Sequence, residues 1–285
     1  MDQVIANPLS KHFRQPKLYV RLPSGGQYYK EGAIEMPANG EFPVLAMTAK
    51  DELMFKTPDA LLNGQSTVNV IQSCIPNIKN GWGVPSIDID AILIAIRIAT
   101  YGETMDLEVN IPNTELERAF SVDLRVLLDQ LVENEYDNII NHGPYKFEIH
   151  PSNYQSFTAT AMKTFEEQRM FRTINDQDMD ESEKLKLFTE SFDRLTDINI
   201  NQIARSVIAV QFDDEPPVTN IEFIVEFFEK TDKDVFKSVI DHLDIQRKKF
   251  SVKPFKVTTN EEDREAGAPE TFDVPITFDQ TNFFA

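Results

Sequence analysis

Sulfur and imidazole chemistry have little material in this sequence. It contains one cysteine, Cys74, and four histidines, His12, His142, His150 and His242, in 285 residues. A single cysteine excludes an internal disulfide and cannot build a thiolate zinc cage, so a reducing cytosol is the expected compartment. No two histidines lie three or four residues apart, which removes the helical metal pair. His142 and His150 flank a turn and are the pair that could meet in space. Basic residues are scarce too, with 28 Lys and Arg against 47 Asp and Glu and a net charge of -19. Such a surface repels phosphate backbones and anionic lipids, so nucleic acid and membranes are excluded as expected partners and a basic protein is favoured. Long apolar runs are missing. The most apolar window, Ile87–Ala99 ("IDIDAILIAIRIA"), is about two-thirds of a membrane span and carries Asp88, Asp90 and Arg97, so it reads as a buried helix. The opening residues lack a basic stretch followed by an apolar one, and no signal peptide is expected.

What is present is material for a core: 41% apolar residues, including 21 Phe, enough for one large domain or two small ones. Residues 1–16, with Pro8 and Pro16, read as an arm. Leu18–Leu22 alternates as a strand. "PSGG" at 23–26 turns the chain, and a second extended piece runs through Tyr28 and Tyr29. Ile34–Met36 and Phe42–Met47 are further strands. Thr48 caps a short helix, Pro58 starts another that Gly64 closes, and Val68–Ile75 makes a third before Pro76. Ser86 is the expected cap of an almost wholly apolar helix that ends at Gly102. Met105–Ile111 and Phe120–Leu124 form a hairpin, Val126–Tyr136 a helix, and Phe147–Ile149 a short strand. Long helices are expected over Ser152–Ile174 and Asp180–Leu195. Val207–Phe212 is a strand broken by "DDEPP". Two capped helices follow, through Phe228 and Lys249. Phe255–Thr258 and Phe272–Phe278 then make a second hairpin around a polar loop. The strings "LEVNIPNTELERAFSVDL" and "FKVTTNEEDREAGAPETFDVPI" share an order of strand, acidic loop and Phe-x-Val, and read as an internal repeat.

No catalytic constellation emerges. "RLPSGGQYY" at 21–29 is Gly-rich but has neither phosphate-loop spacing nor a following helix start, so it reads as a structural turn. "DQDMDESEKLKL" from Asp176 places Asp176, Asp178 and Asp180 like calcium ligands. It has Glu181 where the loop needs Gly and Leu187 where it needs a bidentate Glu, and so reads as an acidic helix start. Cys74 has no motif around it and reads as buried. No nucleophile motif appears. Among so many carboxylates a pair at glycosidase distance is expected by chance alone. Trp82 in "NGWGVP" is either a lid over the core or an exposed anchor for a partner.

The order of segments carries more information than any single motif. A short arm leads to "LPSGGQYY", then to the Gly32–Met36 strand of form G-x-I-E-M, "MTAKDELMFKTPDALLNG", "VNVIQSCI" and "DIDAILIAIRIATYG". A hairpin, long helices and a terminal "VPITFDQTNFF" follow. This order resembles the T4-type baseplate hub assembly and hub subunit family of contractile-tailed bacteriophages, most densely over Leu22–Leu124 and again over Phe272–Phe284. Members of that family commonly carry a Cys-x-x-Cys knuckle of zinc-ribbon kind on each hairpin. Both loops here lack cysteine, so the resemblance implies hairpins held by packing of Val109, Phe120, Val122, Val257, Phe272 and Val274, with no metal and no cofactor. The fold class expected is α+β, mainly helical with small β units. Its segments are an arm (1–16), a β/helical domain with the first hairpin (17–140), a helical region (141–250) and a C-terminal hairpin and tail (251–285). The resemblance further implies a non-enzymatic hub subunit or chaperone-like assembly factor. It would engage hub and tape-measure proteins in the host cytoplasm during assembly or in the virion tail, and an oligomer is compatible with it. The partner-binding candidates are Tyr28, Tyr29 and Trp82 as one patch and Phe283 and Phe284 as another. The alternatives are a hub-associated cell-wall hydrolase and a host cytosolic regulatory binding protein.

Overall fold

The computed structural model describes residues 7, 9, 12–55, 64–176 and 180–276. The chain is α+β: helices predominate and the strands form small antiparallel sheets. Strands β1 (Pro16–Val20) and β2 (Phe42–Leu45) pair first, and their alternation buries Leu18, Val20, Phe42 and Val44 on one face. Helix α1 (Ala49–Phe55) opens with a reciprocal cap, in which the Thr48 amide donates to Asp51 and the Asp51 amide donates back to the Thr48 hydroxyl. Arg14 docks the preceding segment against this cap. Its guanidinium donates to the Ala46 and Ser73 carbonyls at 2.5 and 2.6 Å and lies 3.4 Å from Asp51. Helix α2 (Gln65–Cys74) stops before Pro76, and its last residue, Cys74, is fully buried with the thiol pushed up to about 12, chiefly by burial. The expected helix led by Pro58 lies outside the described residues.

Helix α3 (Ser86–Tyr101) is the centre of the first core. Ile92, Ile94, Ala95 and Ile96 are fully buried, in one cluster with β1, β2, α2 and residues as distant as Ile276. A helix buried on all sides needs its polar groups satisfied by the protein. Asp88, in its first turn, is also fully buried. Its carboxylate accepts from the Ser24 amide (2.7 Å), the Ser24 hydroxyl (2.6 Å) and the Tyr29 hydroxyl (3.0 Å). The Pro-Ser-Gly-Gly turn therefore works as a clasp on Asp88. Gly26 sits at φ +83°, and a Cβ there would lie 2.2 Å from the Met36 sulfur, so only glycine fits. Two details differ from the expectation. Tyr28 has φ +68° and belongs to no strand, because the clasp bends the chain there. Ser86 is the first helical residue and makes no side-chain cap; its amide donates instead to the Ser152 carbonyl at 2.7 Å.

Strands β3 (Thr104–Asn110) and β4 (Glu117–Asp123) form the first hairpin, and α4 (Leu124–Val132) follows with Asp123 as its cap. Strand β5 (Ile139–His142), which period alone did not indicate, pairs with β6 (Tyr145–Ile149). The helices α5 (Tyr154–Asp176) and α6 (Glu181–Ser206) then run out and back, α6 continuing eleven residues past the expected end at Leu195. Strand β7 (Val207–Phe212) returns to the other edge of β6. Helices α7 (Ile221–Lys230) and α8 (Lys233–Lys249) cover this sheet, and Phe147, Ile149, Ala204, Ile224, Phe228 and Val239 form a second core. Strand β8 (Phe255–Thr258), a one-turn helix α9 (Glu261–Glu265) and β9 (Thr271–Val274) complete the second hairpin; α9, boxed by Asn260 and Asp263, occupies the stretch expected as loop. The two hairpins contact each other. The Phe120 and Phe272 rings meet edge-on at 6.5 Å, and Arg118 of β4 donates to Asp263 at 3.0 Å. His142 and His150 stand at opposite ends of the β5–β6 pair.

Removing the fully buried Asp88 carboxylate orphans three donors, so Asp88→Ala is expected to cost about 3 kcal/mol or more in urea unfolding. Burial also raises Asp88 to about 6 against the opposing pull of Ser24 and Tyr29. The folded protein then holds a proton that the unfolded chain has released. This group's contribution is present at low pH and is lost as pH rises through about 4 to 6. Asp88→Asn should flatten that slope in thermal melts.

Candidate functional site

A concavity of about 800 Å³ lies where α3, the α5–α6 pair and α8 meet. That is within the range of built binding pockets. One wall is the first turn of α3, with Ser86, Ile89 and Asp90. A second is formed by Phe157 of α5 and Thr196, Asn199, Ile200 and Ile203 of α6. Phe236, Ile240, Leu243 and Arg247 of α8 form the third, and Tyr136, Tyr154 and Phe250 close the corners. The pairing that holds these walls is local: the Tyr154 amide donates to the Val84 carbonyl, and the Ser86 amide to Ser152, so α5 is bolted to the start of α3.

The lining is mostly apolar. Its charged groups are Asp90, Asp244 and Arg247, and Arg247 pairs with Asp244 at 2.9 Å. Asp90 is raised to about 6 by burial, while the Val252 amide, which donates to it, pulls the other way. The cleft therefore loses its unpaired negative charge near pH 6. Among the described residues there is no group of three or more His, Cys, Asp and Glu placed to hold a metal ion, and no helix long and apolar enough to cross a membrane.

The sequence-derived residues stand behind this cleft rather than in it. Tyr28 lies edge-on to Tyr136 at 5.6 Å and to His150 at 4.8 Å, and Tyr136 lines the cleft. Burial raises the hydroxyl pKa of Tyr28 and of Tyr136, and it lowers His150. Tyr29 is turned inward by its bond to Asp88. Trp82 stacks on Tyr154, another lining residue, with centroids 5.8 Å apart. All three rings have contacts within the chain, and Tyr28 and Trp82 brace cleft walls. Phe283 and Phe284 lie outside the described residues. The cleft itself was not legible, because its walls come from separate segments spread between Ser86 and Ser251.

A second surface surrounds the start of α7. Phe212, Val218, Ile221 and Phe223 are exposed, Phe223 at 60%, and they are interspersed with the exposed carboxylates of Asp213, Asp214, Glu215, Glu222, Glu226 and Glu229. Tyr145 supports it from beneath through ring contacts with Phe212 and Phe227, both at 5.4 Å.

A family model described as T4 bacteriophage base plate protein matches residues 20–258. The chain belongs to that family and is a T4-type phage baseplate protein, a component that works among other baseplate proteins of the virion tail. Neither the curated proteins nor the solved structures gave a significant match.

An apolar fluorescent dye should enter the cleft more tightly as pH falls through about 6, where Asp90 becomes neutral. Fluorescence titration should show severalfold tighter binding at pH 5 than at pH 7.5. Asp90→Asn should bind equally at both.

Proposed function

We propose that this baseplate protein acts at the hub, as a hub subunit or a chaperone-like hub assembly factor, and that it is a binding protein without enzymatic activity. Its partners in this reading are other hub proteins and the tape-measure protein, met in the host cytoplasm during assembly. The observation that carries the reading is the acidic aromatic face around Phe223. Exposed rings between carboxylates suit a basic, apolar segment, which would be steered by charge and held by a few buried side chains. The net charge of -19 extends the steering field over the rest of the molecule. Tyr28 and Trp82 contribute by holding cleft walls in place. Phe283 and Phe284 are proposed as a separate partner contact, and their double alanine variant should weaken capture.

Mass spectrometry of purified tails, and of complexes isolated before tube growth, distinguishes the two forms of this proposal. A stoichiometric presence in tails identifies a subunit, and presence only in the early complexes identifies an assembly factor. Absence from both contradicts the hub reading. In pull-downs with hub and tape-measure proteins, Phe223→Ala combined with Glu222→Lys should weaken capture about tenfold, and rising salt should weaken the wild type. Capture insensitive to both changes would place the partner elsewhere.

A further inference from the structure

Helices α5 and α6 are the longest elements, yet few of their side chains are buried; Ile174, Ser191, Ala204 and Ser206 are the buried ones described. They pack against each other along one seam. Glu167 accepts from the Ser191 hydroxyl at 2.6 Å and from Arg194 Nε at 2.8 Å, and Phe171 sits between Phe188 and Phe192 at 5.4 and 5.0 Å. A second seam is left open. On α6, Leu185, Thr189, Phe192, Thr196, Asn199 and Ile203 recur at alternating spacings of four and three, which places them on one stripe. On α5, Phe157, Ala161 and Phe165 recur every fourth residue. Both stripes lie on the same side of the helix pair, because Phe157, Thr196, Asn199 and Ile203 all line the cleft. Phe157, Phe165, Leu185 and Phe192 are 53–68% exposed on it.

We propose that this strip is covered by a second copy of the chain, helix pair against helix pair, in a four-helix bundle that also closes one side of the cleft. Two observations select a second copy. The first is charge. The two helices carry seven basic and eight acidic residues, so they are nearly neutral in a chain of net charge -19. Two copies repel each other over most of their surface and least along this strip, whereas a basic partner is drawn to the acidic faces. The second is area. From Leu185 to Ile203 the strip is roughly 27 Å long and two helices, about 20 Å, wide. That footprint, about 540 Å² per copy and about 1,080 Å² for the pair, just clears the roughly 1,000 Å² total expected of a specific interface. Its knob spacing is that of helix bundles.

Sedimentation equilibrium should give twice the 32.6 kDa chain mass for the wild type. Phe165→Glu with Leu185→Glu should weaken dimerisation roughly tenfold or more, with helical circular dichroism retained because both side chains are exposed in the monomer. Phe223→Glu, on the acidic face, should leave the dimer intact. Should the double variant fail to fold, hydrogen exchange of the wild type decides: amide protection over 157–203 should fall on dilution while that of α3 holds. A wild type that sediments as a monomer overturns the proposal. So does a folded double variant that dimerises like the wild type, a dimer lost with Phe223→Glu, or protection that does not depend on concentration.

Discussion

The first turn of α3 is the point on which the other parts depend. Within five residues, Ser86 to Asp90, it receives three separate segments of chain. The Ser24–Tyr29 clasp closes on Asp88, the base of the long helix pair is hydrogen-bonded beside Ser86, and the Val252 amide reaches Asp90. Each tie meets a physical demand of the helix itself. Its first amides need acceptors, its N-terminus favours negative charge, and its buried carboxylates need donors. The core around α3 contributes most of the buried apolar surface. The clasp decides how that core connects to the rest.

From this node the molecule divides its surface by chemistry. The acidic aromatic face on α7 is supported from below by the second core. The first turn of α3 forms one wall of the cleft, so the cleft's shape depends on the ties at Ser86 and Asp90. The outgoing helix pair is the nearly neutral element, and its open stripe runs into the cleft. A protein among many others in a baseplate needs faces that do not compete for the same partner. In the proposed reading, acidic and neutral faces on separate elements meet that need, with charge directing a basic partner to one and shape a second helix pair to the other.

Much of the fold was legible because local chemistry and tertiary structure agree. Val207–Phe212 and Phe255–Thr258 have the boundaries that their flanking breaks indicate. Helix α3 was recognised as buried from its apolar residues alone. Strand β5 was missed because Ile139–His142 is half polar and becomes a strand only by pairing with β6. Helix α9 was missed inside an acidic loop, although the Asn260–Asp263 capping pair was a signal that could have marked it. The roles of Asp88 and Asp90 were not readable, since their donors come from 59 or more residues upstream and from Val252 far downstream. The same non-locality hid the cleft and the ring contacts that Tyr28 and Trp82 make inside the chain.

The central claim is that the Ser24–Asp88 clasp is part of the global fold rather than a loop resting on it. Native-state hydrogen exchange of the Ser24 amide tests this directly, since that amide is held by the Asp88 side chain and not by a helix or sheet ladder. If the clasp is a structural node, its exchange free energy should equal that of the α3 amides around Ile94 and fall with them in urea. Exchange of Ser24 by a small local opening, while α3 stays fully protected, would contradict it.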